Sequence, residues 1–310
     1  YTGQIARQLQ HNSLKKIVSK GNPSDPTSNT LNKMLNYFEN KDKTKSMAIL
    51  DPKSSSKFPV KQKMVGEIST GSNLAGKADG RVQLSWPNNM TGADVIRFMI
   101  KKASKISGGV DMRNGMNYPQ LISKYTMGAV LYHQACDNYL DEKMTASNKP
   151  NDKPYKKGAY YTGKEHSWDE AFGYWGAAAH TMTLSAQQSY DVAKKKDLKA
   201  ADFNKDGVVD LYKEMTYGHA YYASAFDRGG KTDYLKTVTK AFIDGRKIIT
   251  NADGEKLSSS DLTKVQDLAQ VICSNWAQVI AEAVHKYAGS VYKDLIAVEK
   301  ALSSGSGMDK

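Results

Sequence analysis

After Pro87 the apolar residues of this chain recur at helical spacing almost without interruption, and that period is the strongest constraint on its fold. Val95, Ile96, Met99 and Ile100 mark one segment, and Leu121, Ile122, Tyr125, Val130, Leu131 and Tyr139 a second that Pro119 opens. Later segments run over about 185–196, 211–226 and 233–250. The last starts after Ser260 and carries Val265, Leu268, Ile272, Trp276, Val279 and beyond, with Gly289 as a point of kinking or division. Ahead of Pro87, Ile5, Leu9, Ile17 and Val18 mark an amphipathic helix, and Leu31, Met34, Leu35 and Phe38 another. A turn cluster, Gly21 to Thr27, separates these two. The expectation is an all-α fold of antiparallel helical bundles in one domain, residues 1–310, built from two packed bundles.

Residues 39–90 break this pattern. They are rich in Lys, Ser, Gly and Asn, and they read as a long, irregular, basic loop region. Any β structure is expected there, with the alternating run Arg81 to Trp86 as a short strand.

Composition narrows the function classes. The net charge is +12, yet only six of the 44 cations are Arg, and no cationic stripe is interleaved with aromatics. A Lys-dominated surface lacks the bidentate groups that read nucleic acid, so none is expected as a partner. No run approaches the length of a membrane span, so no transmembrane segment is expected. Cys136 and Cys273 lie in helical patterns and read either as two buried thiols or as one disulfide between helices. The chain opens on Tyr1, which fits a removed leader as well as a late start.

Two constellations carry chemistry. In Asp202-Phe-Asn-Lys-Asp-Gly-Val-Val-Asp210, oxygen side chains fall at loop positions one, three, five and nine, with Gly207 at position six. This EF-hand-like spacing suits Ca2+, with ligands from Asp202, Asn204, Asp206, the Val208 carbonyl and Asp210. Position twelve is Lys213, which cannot ligate, so Glu214 becomes the closing carboxylate. The competing reading is an Asx-rich turn without metal. The second constellation is His166, Asp169 and Glu170, an imidazole with carboxylates as in Zn, Fe or Mn sites. A further His would come from His133, His180, His219 or His285. Against this stands a helix start with Ser167 as N-cap and Glu170 as its capping-box partner. No Walker, dinucleotide, nucleophile-elbow or zinc-helix motif is present, and no nucleophile is placed beside a base, so no enzymatic activity is expected.

The stretches Ser107 to Tyr118, Met127-Gly-Ala-Val130 and His166 to Tyr174, with Tyr1 to Gln4 and Ser274-Asn-Trp276, resemble a bacterial family of unknown function, DUF4856. The resemblance spans most of the chain. That family looks related to the imelysin-like proteins, which implies a helical double bundle and an exported protein of the periplasm, outer membrane or cell exterior. A lipid anchor before residue 1 and a link to iron or other metal uptake are also implied. The imelysin motif G-x-H-x-x-E is imperfect here, since Gly163 stands three residues before His166 and Glu170 four after it. The peptidase label of some relatives finds no motif in this chain. The resulting expectation is a non-catalytic envelope protein with a structural calcium loop and a transition-metal (Fe or Zn) site at His166. The alternatives are a surface protein that engages an acidic partner such as polysaccharide, and a metallopeptidase.

Overall fold

In the computed structural model, residues 1–25, 28–41, 43 and 47–305 are described. The end of the expected turn cluster, residues 26 and 27, and part of the basic segment, residues 42 and 44–46, lie outside them. The described residues are mostly helical, as the periodicity dictates. The helices are α1 (Thr2–Val18), α2 (Asn29–Glu39), α3 (Gly92–Ser104), α4 (Tyr118–Thr126), α5 (Gly163–Trp175), α6 (Ala186–Ala193), α7 (Leu198–Ala201), α8 (Gly218–Asp227), α9 (Tyr234–Asn251) and α10 (Ser259–Ser303). Helix α4 continues directly into a π-helical stretch, Met127–Tyr139.

Local chemistry sets many of the boundaries. Thr91 and Asp94 form a capping box at α3, Ser185 and Gln188 at α6, and Ser258 caps α10 through the Asp261 amide. The sequence places the start of α5 too late. The N-cap is Thr162, boxed with Glu165, and Ser167 lies inside the helix donating to the Gly163 carbonyl. Two successive Ser/Thr-x-x-Glu patterns compete there, Thr162–Glu165 and Ser167–Glu170; the helix starts at the earlier one, and Gly163 and Lys164 are buried in its first turn. The segment before α8 is likewise not helical: residues 211–214 form a turn, residues 215–217 are irregular, and the helix starts at Gly218. Helix α10 runs through Gly289 unbroken.

Strand structure also differs from expectation. A two-stranded antiparallel hairpin, β1 (Val110–Asp111) with β2 (Met116–Asn117), forms between α3 and α4, outside residues 40–90. The run Arg81 to Trp86 is not a strand. Val82 makes one isolated bridge to Thr91 and Leu84 is 98% exposed, so its alternation reflects no buried face.

Two apolar clusters hold the chain together. The larger gathers α2–α5, the π-helical stretch and α8–α10 around Trp168, Tyr174, Trp175 and Trp276. The Trp175 and Trp276 rings meet edge to face at 4.9 Å. Cys136 of the π-helical stretch and Cys273 of α10 are joined in a disulfide with Cα atoms 5.7 Å apart. In the smaller cluster, Met47, Ile49, Phe58, Val60 and Val65 pack with residues of α1, α6 and α7. The irregular segment therefore supplies a core of its own. It is held by isolated bridges, antiparallel between Ala48 and Met64 and parallel between Val60 and Val209.

Helix α1 serves both clusters, which explains its composition. Residues 4–11 are all buried, polar ones included. Their polar groups meet backbone carbonyls: Arg7 Nε donates to Asn73, Gln8 Nε2 to Tyr174, Gln10 Nε2 to Ser72 and His11 Nε2 to Ser123, at 2.7–2.9 Å. Burial without those partners would be costly. No helix among the described residues is long and apolar enough to cross a membrane.

Candidate functional site

The loop from Asp202 to Glu214 joins α7 to the turn before α8. Gly207 takes φ +85°, the left-handed conformation that position six needs, and open space surrounds it. The two Asp202 carboxylate oxygens accept the amides of Asp206 (3.1 Å) and Gly207 (2.9 Å). Asn204 Oδ1 accepts the Asp206 amide as well, and Asp206 Oδ1 accepts that of Val208. The first three ligand positions are thus drawn around one turn. The Val208 amide and the Asn204 side chain hold the Asp206 carboxyl below its ordinary value.

The two later acids are used differently. Asp210 Oδ1 accepts from Gln62 Nε2 and from the Tyr212 amide, at 2.8 and 2.9 Å. Glu214 is buried, and its carboxylate accepts the amides of Phe203, Asn204 and Asp210 at 2.8–3.2 Å. It closes the loop through backbone hydrogen bonds. Next to the acids, the Val209 amide donates to the Pro59 carbonyl and the Lys61 amide to that of Val209, both at 2.9 Å. The loop is thereby stitched to the irregular segment.

The second constellation sits on α5. His166 Nε2 and Glu170 Oε1 lie 3.4 Å apart, one helical turn from each other. Gln4 Nε2 donates to the same carboxylate at 2.7 Å. Burial pushes the Glu170 carboxyl up, but the His166 ring, the Tyr139 hydroxyl and Gln4 outweigh it and bring it down to about 2. The His166 ring stacks on Tyr155 at 3.6 Å and on Tyr161 at 5.6 Å. Glu170 is therefore an ionised, enclosed tie between α1, the π-helical stretch and α5.

Asp169 is not part of this group. It pairs with Arg246 of α9 at 2.8 Å, and Arg246 also grips Glu165 at 2.7 Å. Burial pushes the Asp169 carboxyl up, and Arg246 offsets that only in part. Of the other candidate histidines, His285 lies exposed on α10 and three are engaged elsewhere. His133 pairs with Asp137, His180 Nε2 meets the Ala200 carbonyl, and His219 stacks on Trp276. Among the described residues, no group of three or more His, Cys, Asp or Glu side chains converges to hold a metal. Local spacing gave no notice of Gln4, Tyr139, Arg246 or Gln62, which reach these acids from distant segments. The one available signal was the density of polar residues on α1.

A family model described as a domain of unknown function, DUF4856, matches residues 5–307, nearly the whole chain. The chain belongs to the DUF4856 family. No curated protein and no solved structure matches this DUF4856 chain. Its stapled helical core, its Asp202–Glu214 loop and its Glu170 cluster are the features on which a reading of its function rests.

Proposed function

We propose that this protein is an exported, non-catalytic binding protein of the bacterial cell envelope whose Asp202–Glu214 loop holds a structural Ca2+. The observation that carries the calcium reading is the turn in which Asp202 accepts the amides of residues five and six of the loop while Gly207 reverses the chain. This gathers Asp202, Asn204, Asp206 and the Val208 carbonyl as oxygen donors for a hard cation. Asp210, directly or through water, and Glu214 as the closing carboxylate complete the proposed donor set. Ca2+ there would fasten the Pro59–Lys61 backbone and the smaller core to the helical body. Export is supported by the Cys136–Cys273 disulfide, which persists in oxidising compartments.

The test is calorimetric titration of Ca2+ into chelator-treated protein. A single saturable site, lost in Asp206→Ala, supports the reading; no heat above dilution rejects it. Export is tested separately, by whether the disulfide forms and the protein accumulates outside the cytoplasm when it is expressed from its full gene.

A further inference from the structure

A basic recess of 660 Å3 opens at the start of α8. Lys15 and Lys16 reach it from the end of α1, Lys124 from α4, and Lys194, Lys195 and Lys196 from the turn after α6. One carboxylate, Asp51, belongs to the lining, and it pairs with Lys195. Among the described residues none of the other five lysines is in an ion pair. Burial and the Lys124 charge both push the Lys15 ammonium down. Lysines gathered at such cost, with one acid among them, leave a place for an anion.

The far wall supplies the rest of a cradle. Thr216, Tyr217 and Gly218 form it where α8 begins. The first turn of α8 has no side-chain cap: its N-cap residue is Tyr217, whose hydroxyl donates to the Leu211 carbonyl at 2.7 Å. Gly218 has φ +49°, and the Gln8 side chain would lie 2.8 Å from any β-carbon there. Thr216 is 2% exposed and its hydroxyl has no hydrogen-bond partner. An uncapped helix start, a free hydroxyl and ammonium groups together match the chemistry of a phosphate. The recess is larger than a bare ion needs and lies in the range of small-molecule sites. Tyr221, Tyr222 and Tyr287 give it an aromatic side.

We propose that this recess binds a phosphate ester, with the phosphate against the first turn of α8 and the Thr216 hydroxyl, Lys15 and Lys124 neutralising it, and the organic part on the tyrosines. The site goes beyond the calcium reading and shares no ligand with it.

The experiment is calorimetric titration with adenosine monophosphate, inorganic phosphate and adenosine. Saturable binding of the monophosphate, tighter than that of inorganic phosphate and absent for adenosine, is expected. Replacing Lys15 and Lys124 together by Gln weakens it by about tenfold or more, the effect of losing charge-assisted contacts. Replacing Lys101 and Lys102 of α3, both exposed, leaves it unchanged. Should the double variant not fold, Thr216→Val and Lys194→Gln each weaken binding in its place. No binding of either phosphate overturns the proposal. Equal loss on removing Lys101 and Lys102 overturns it too, because the attraction is then diffuse. Equal affinity for inorganic phosphate and the monophosphate overturns the ester.

Discussion

Gly245 of α9 lies so close to the Trp168 indole of α5 that a β-carbon on it would stand 2.2 Å from Cζ2. The indole cannot yield, since it is buried and its Nε1 donates to the Phe242 carbonyl at 2.7 Å. The two helices that carry Glu165 and Asp169 and their partner Arg246 are thus set at a distance only glycine permits. Gly245→Ala is expected to destabilise the protein by about 1–3 kcal/mol through overpacking. That loss outweighs the gain of about 1 kcal/mol in helix propensity. Urea denaturation checks it; an unchanged or higher midpoint would show that the contact relaxes freely.

Lys164 is 2% exposed and donates to the carbonyls of Lys143 (3.0 Å), Thr145 (2.6 Å) and Asn148 (2.8 Å). Burial pushes its ammonium down to about 8. The side chain organises the loop ahead of α5 by gathering three carbonyls on one cation. Lys164→Met keeps the stem and removes the donor, and should cost about 1–3 kcal/mol. Equal melting temperatures for the variant and the parent would refute this role.

These two positions show what was legible in the sequence. The helices of α3, α9 and α10 were readable because apolar residues on one face and polar on the other follow from their half-burial. The start of α5 was not. Gly163 and Lys164 look like loop residues, and only carbonyls from residues 143–148 make the burial of Lys164 tolerable. The β1–β2 hairpin escaped notice because two-residue strands carry no alternation. The calcium-type spacing Asp202 to Asp210 was visible because its residues are local. The partners of Glu170 were not, since Gln4 and Tyr139 arrive from other helices. The basic recess was hidden for the same reason: its lysines lie on three separate segments.

Acid should destabilise the protein before the carboxylates titrate. Burial pushes His11 down to about 4 and His219 to about 3, from 6.5. Between 6.5 and 4 the unfolded chain binds protons that the folded chain refuses, so stability falls as pH falls. The slope is about 1.4 kcal/mol per pH unit for each histidine. His11→Gln should flatten the fall in denaturation midpoint between about pH 7 and pH 5. A parent protein with no change in midpoint over that interval contradicts the assignment.

The Cys136–Cys273 bridge spans 137 positions of sequence. In the chain-entropy account its loss costs about 5 kcal/mol. The double variant Cys136→Ser with Cys273→Ser should melt well below the oxidised parent and no lower than the reduced one. Identical melting of the oxidised and reduced parent would remove the bridge from the account of stability.

The central claim is the calcium loop, and thermal unfolding in excess chelator against saturating Ca2+ tests it most directly. Binding to the folded loop alone stabilises by mass action, about 2.7 kcal/mol when the ion is at a hundred times its dissociation constant. The account predicts a higher melting temperature with Ca2+, no such shift in Asp206→Ala, and none when Mg2+ replaces Ca2+. If parent and variant melt alike with and without Ca2+, the Asp202–Glu214 segment is a hydrogen-bonded turn and not a metal site.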